Sequence, residues 1–140
     1  MENNKVKITV QVTVKSTIEK VWKVWTSPSD ILHWNTASED WHTTKAENDL
    51  KVGGKFSYRM EAKDGSFGFD FGGTYDIIKT NELIAYTMDD GRTSIITFEQ
   101  KGNETTIVQT FDAENENSIE LQQNGWQAIM DNFKKYIESL

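Results

Sequence analysis

The groups in this chain able to move a proton or grip a ligand are two histidines, two aspartates within one strand pattern, and an abundance of aromatic rings. His33 stands beside Trp34 at the end of a short helical segment, where it either closes the helix in solvent or serves as a general acid or base at a pocket mouth. His42 follows Trp41 on a strand whose two faces are weakly defined. Two histidines without H-x-x-x-H or H-E-x-x-H spacing make no metal triad, so no metal is expected. With no cysteine there is neither a disulfide nor a thiolate nucleophile. No serine occupies a G-x-S-x-G elbow. Gly53-Gly54-Lys55 lacks the Walker spacing and leads into a strand pattern, not a helix. The glycines at 68, 72 and 73 lie inside a strand pattern, away from the strand-to-helix turn that a dinucleotide needs, so no cofactor is expected.

Residues 67–78 put Phe67, Phe69, Phe71, Tyr75 and Ile77 on one parity and Gly68, Asp70, Gly72, Thr74 and Asp76 on the other. With the aromatic face inward, both aspartates meet solvent. An extra residue at Gly72-Gly73 would invert the parity and aim Asp70 inward opposite Tyr75, as an acid/base candidate. The larger signal is the set Phe56, Tyr58, Phe69, Phe71, Tyr75, Phe111, Trp126 and Met130, which converges between a sheet and a helix. These side chains either fill a core or wall a ligand-sized cavity, in which Tyr58, Tyr75 and Trp126 supply the polar contacts. Gly125 costs its helix about 1 kcal/mol relative to alanine, which implies close backbone approach there.

The elements that must position these residues follow from periodicity. Residues 118–140 carry Trp126, Ile129, Met130, Phe133, Ile137 and Leu140 at helical three-and-four spacing, a stripe that needs a sheet to lie on. Such a helix spans on the order of 30 Å, enough to cross a small domain. Residues 5–14 alternate without fault, with Val6, Ile8, Val10, Val12 and Val14 on one face. Ser16-Thr17-Ile18-Glu19 fits a capping box for a helix over 17–26, and Ser27 before Pro28 fits the cap of a second helix over 28–34. Strands are expected at 41–47, 55–62, 67–78, 83–88, 93–100 and 105–111, with a bulge or bend at Gly72-Gly73. Glu114, Glu116 and Glu120 sit where the last helix's dipole favours negative charge, a capping role more than a metal site. Strand, helix, helix, six strands and a long helix make an α+β fold of one domain over residues 1–140.

The formal charge of −7 and a pI near 4.8 repel phosphate backbones and anionic surfaces, so nucleic acid is not an expected partner. No run approaches the roughly 18 apolar residues of a membrane span, and residues 1–7 do not resemble a signal peptide. A cytoplasmic location and no membrane insertion are the expectations. Asn103-Glu104-Thr105 matches a glycosylation acceptor but reads as a turn between strands.

Several of these residues also carry a resemblance. Residues 16–25 with the Val21-Trp22 pair, Thr26-Ser27-Pro28, Trp34, Leu50-Lys51-Val52-Gly53-Gly54-Lys55-Phe56, Gly73-Thr74-Tyr75-Asp76-Ile77 and Gly125-Trp126 resemble the domain typified by the activator of the ninety-kilodalton heat-shock protein's ATPase. That family lies within the START-like, birch-pollen-allergen-like superfamily. The resemblance implies a helix-grip fold: a curved antiparallel sheet of six or seven strands, two short helices after the first strand, and a long C-terminal helix across the sheet. It implies a non-catalytic domain that holds an apolar or aromatic small molecule under that helix. Its alternatives are a chaperone-ATPase activator-like interaction module, in keeping with a stress response, and a cyclase or hydratase using His33 or Asp70.

Overall fold

The computed structural model describes residues 6–140. The order is β1 (Lys7–Val14), α1 (Ile18–Thr26), α2 (Pro28–Trp34), β2 (Trp41–Asn48), β3 (Lys55–Ala62), β4 (Gly68–Lys79), β5 (Leu83–Met88), β6 (Thr93–Lys101), β7 (Glu104–Asp112) and α3 (Ile119–Glu138). All seven strands form one antiparallel sheet in the order β1-β7-β6-β5-β4-β3-β2, so β1 and β2 are its edges. This is the expected helix-grip architecture, with two short helices after the first strand and α3 laid against the sheet. No helix among the described residues is long and apolar enough to cross a membrane.

Alternation in β1 places Ile8, Val10, Val12 and Val14 in the core while Lys7, Thr9, Gln11 and Thr13 face out. Of the expected strand over 5–14, Lys5 lies outside the described residues, and Val6 precedes the strand half exposed. The junction of β1 and β7 is pinned by Asp112, which bonds the Lys7 ammonium and accepts from the Thr93 N–H and hydroxyl at 2.8 and 2.9 Å. Burial alone would raise this carboxyl, but these donors outweigh it and hold it at about 2.

Neither expected side-chain cap forms at the first two helices. The first helix is capped by Thr17 with no side-chain bond, because the Gln100 side-chain oxygen reaches across to accept the Ile18 N–H at 2.8 Å. The Ser27 hydroxyl pairs with Ser29 and leaves the start of α2 to the proline. The third cap belongs to Ser118, whose Oγ accepts the Leu121 N–H at 3.0 Å, while Glu114 bonds Asn117 in the preceding loop.

The paired glycines do not bulge. Gly72 and Gly73 face Ser57 and Phe56 in unbroken register, and the extra residue on β4 is Asp76, between Tyr75 and Ile77 in the pairing with β5. Parity therefore inverts three residues later than expected: Ile77 turns outward at 44% exposure and Ile78 packs on the core. Phe67, grouped by parity with the inward rings, is 62% exposed beside the β3–β4 turn.

Helix α3 buries Met130, Phe133 and Ile137, while Leu140 falls beyond its end and is exposed. Among the strands α3 comes closest to β1, and it does more than lie on it. Gln123 donates to the Thr9 carbonyl at 3.3 Å, Gln127 both accepts from the Gln11 N–H (3.2 Å) and donates to its carbonyl (2.8 Å), Lys134 donates to the Thr13 carbonyl (2.7 Å), and Glu138 accepts the Lys15 N–H (2.9 Å). A four-residue helical step rises about 6 Å and a two-residue strand step about 6.6 Å, which matches the two elements from Gln123 to Gln127 and again from Lys134 to Glu138. The free edge of β1 is thus hydrogen-bonded by side chains of α3 where a further strand would otherwise pair.

Because α3 hugs this edge, it stands away from the middle of the sheet. One end of the wedge is filled with rings: Trp25 packs on Trp34 at 4.7 Å and on Phe133 at 5.0 Å, and Trp22 sits edge-on to Phe98. The other end is hollow.

Candidate functional site

The hollow is a cavity of about 330 Å³ between β3–β7, the first half of α3 and the ends of α1 and α2. Its wall is organised around Phe56. Opposite Phe56 on the ladder stands Gly73, where an added Cβ would lie 2.4 Å from the Thr87 carbonyl oxygen and 3.1 Å from the Phe56 ring. Glycine there lets the ring lie down on β4, with Tyr58, Tyr75 and Tyr86 around it at centroid distances of 5.3, 5.1 and 4.8 Å.

Burial makes these phenols unwilling to ionise. Tyr75 and Tyr86 are each pushed up to about 12, and Tyr58 well above its ordinary value, in every case chiefly by removal from water. All three are hydrogen-bonding hydroxyls throughout the physiological range. Beside them Gln109 donates one amide proton to Tyr86 at 3.2 Å and the other to Ser94 at 2.9 Å. The opposite wall is apolar. Trp126 stacks on Phe111 at 3.8 Å and meets the edge of Phe71 at 5.9 Å, with Ile129 and Met130 on the same helix face. At the rim, Arg92 is paired with Asp90 at 2.8 Å, and buried Gln122 ties the loop at Glu114 and Asn117 to α3.

Of the eight aromatic and apolar residues singled out from sequence, seven line this cavity; Phe111 does not. It is fully buried behind Trp126, because its strand position opposite Ile8 and Ser94 lies under the helix and not under the gap. Phe69 lines the cavity from its mouth and also touches Trp41 at 5.9 Å and Phe67 at 6.2 Å; the two phenylalanines are open to solvent and Trp41 is half-buried.

The two acid/base candidates lie elsewhere. His33 is exposed on the outer side of α2, stacked on Tyr136 at 5.5 Å, and that tyrosine donates to Asp30 at 2.6 Å. Asp70 faces solvent opposite Arg59 at 3.6 Å, since the bulge that would have turned it inward occurs after Tyr75. Asp76 accepts from Thr87 on the same outer surface, and His42 is likewise exposed. Gly125 is not a point of close approach: a Cβ there would meet nothing within 4 Å, and the position borders the cavity.

Sequence reasoning missed Tyr86, Gln109 and Arg92. Gln109 did leave a signal, as a polar residue on the parity of Thr105, Ile107 and Phe111, whose apolar members are core. Tyr86 sits in a short apolar run whose period gives no face.

Comparison with known proteins identifies a family model, described as "Activator of Hsp90 ATPase homolog 1-like protein", that matches residues 15–138. A comparison with curated protein sequences finds no match. Among solved structures, an AHSA1-like protein from Aeromonas hydrophila is 45% identical, with a TM-score of 0.89 over 96% of this chain and 93% of that one. A protein from Cytophaga hutchinsonii is 56% identical, with a TM-score of 0.83 over 95% and 92%. A protein from Nitrosomonas europaea shares the fold at 14% identity, with a TM-score of 0.82 over 99% and 97%.

Proposed function

This chain belongs to the Activator of Hsp90 ATPase homolog 1-like family, and on that premise we propose that it is a non-catalytic binding domain for an apolar or aromatic small molecule held between the sheet and α3. The observation that carries this reading is the cavity of about 330 Å³, walled by rings and containing a few placed polar groups, a size and make-up suited to small ligands. Its roles fall to Phe56, Phe69, Phe71, Trp126 and Met130 for apolar burial and to the tyrosine hydroxyls for orientation. With His33 and Asp70 outside the cavity, neither reaches a bound molecule, which removes the support those residues lent to a cyclase or hydratase.

The test is native mass spectrometry of the purified protein together with thermal shift against apolar aromatic compounds. A ligand at 100 times its Kd stabilises the fold by about 2.7 kcal/mol, enough to read as a raised Tm. Trp126→Ala removes the ring that roofs the cavity and is expected to abolish the shift while the circular dichroism stays native. No retained mass and no shift across a broad panel sinks the reading.

A second reading, a chaperone-ATPase stimulator acting through its surface, is favoured by the family and by the exposed rings of Phe67 and Phe69 beside half-buried Trp41. It predicts stimulation of a purified ninety-kilodalton chaperone's ATPase that Phe67→Ser weakens; an unchanged rate at large excess of this protein counts against it.

A further inference from the structure

Helix α3 carries a glycine where neither its backbone nor its neighbours require one. Gly125 lies inside the helix with ordinary helical backbone, without the positive φ that Gly53, Gly65, Gly91 and Gly102 adopt. Glycine is the poorest helix former after proline, so the position weakens its own element. Close packing does not account for it either. At Gly54, Gly72 and Gly73 an added Cβ would collide with backbone oxygen, whereas at Gly125 it would meet nothing within 4 Å. The empty space is on the cavity side: Gln122, Gly125 and Ile129 follow one another at helical three-and-four spacing, and all three line the cavity. What the missing side chain leaves behind is room for something else.

We propose that Gly125 is a specificity-determining position, whose bare helix backbone forms an apolar recess that receives an alkyl group of the ligand and sets the longest chain that fits. The proposal rests on the small-molecule reading above and assigns that molecule a hydrocarbon end. Within the helix the Gly125 N–H and carbonyl are bound to the turns before and after, so the uncovered backbone offers a ligand no free hydrogen-bonding group. Gln122, beside the recess, is equally occupied. Its side-chain oxygen accepts the Glu114 N–H at 2.8 Å, and its side-chain nitrogen donates to the Asn117 and Glu114 carbonyls at 2.9 and 3.2 Å. Trp126, stacked on Phe111, and Ile129 complete the border with apolar surface. A polar group set against this stretch of α3 would lose water without gaining a partner from it, while hydrocarbon is favoured there.

The experiment titrates the full chain, Gly125→Ala and Gly125→Leu with para-alkylphenols whose chains run from ethyl to octyl. In wild type each added methylene is expected to tighten binding by about fourfold until the cavity is full, after which the gain stops. Alanine puts one carbon into the recess and leucine four, so that stopping point should come about one methylene earlier in the first variant and about four earlier in the second. The loss of affinity relative to wild type should therefore grow with chain length. Equal weakening of every phenol, short and long, would show that the position acts through the fold and overturns the recess. Stopping points that coincide in all three proteins overturn it as well. Either result leaves the small-molecule reading standing, whereas no binding of any phenol to the folded wild-type chain overturns the proposal together with that reading. The alanine variant reads the same displacement on its own if the leucine variant fails to fold.

Discussion

Two glycines show how differently a missing side chain can act. At Gly73 the space is already taken by the Thr87 carbonyl oxygen and the Phe56 ring. Gly73→Ala must therefore displace backbone of β5 or lift Phe56 off β4, and overpacking of this kind costs about 1–3 kcal/mol. At Gly125 the space is empty, and alanine there gains helix propensity worth up to about 1 kcal/mol. Urea unfolding is expected to show the midpoint falling for the first variant and rising for the second. A fall in both would mean that α3 packs down against the position. If Gly125 serves the cavity by keeping it roomy, the stabilised variant binds ligand less well, a separation of stability from affinity that the same samples reveal.

The elements expose what a pattern along one strand can and cannot report. The contact of α3 with β1 rests on Gln123, Gln127, Lys134 and Glu138, polar residues that periodicity alone assigns to solvent. Gln127→Ala is expected to lower stability by about 1 kcal/mol and to speed hydrogen exchange of the Gln11 amide, with neighbouring strand amides unaffected. Unchanged exchange at Gln11 would show the contact to be incidental. The alternation of β1, the proline at the start of α2 and the stripe of α3 were legible because each is decided within its own segment. The bulge at Asp76 was not, since it is a mismatch between β4 and β5 and belongs to neither sequence. The Ser16 box failed for the same kind of reason: Gln100, distant in the chain, supplied the bond. The aromatic set could be listed, but whether Phe111 lines the gap or backs it depends on where α3 rests. Tyr86 and Gln109 joined the cavity wall only once the ladder placed them beside Tyr75 and Ser94.

Across the whole molecule, all four tyrosines hold their protons more firmly than free phenols. Burial does this for Tyr58, Tyr75 and Tyr86, and the hydrogen bond to Asp30 does it for Tyr136. In the unfolded chain each ionises near 10, so between pH 10 and about 12 the unfolded state loses protons that the fold retains. Stability is then fully present below pH 10 and falls as pH rises through that window. Phenolate absorbance is expected to appear together with loss of structure, as one cooperative step; ionisation of all four tyrosines near 10 with the fold intact would contradict the placement of the three around Phe56.

The side chains that seal β1 have a consequence for assembly. A sheet grows into a fibre by repeated addition, which requires every unit to present two reactive ends, one to receive a copy and one to receive the next. Here one end is capped by the chain's own helix, so a copy that paired through β2 would find its far side already closed. In the language of polymers this chain is monofunctional: strand-to-strand association stops at two, and α3 acts as the chain stopper.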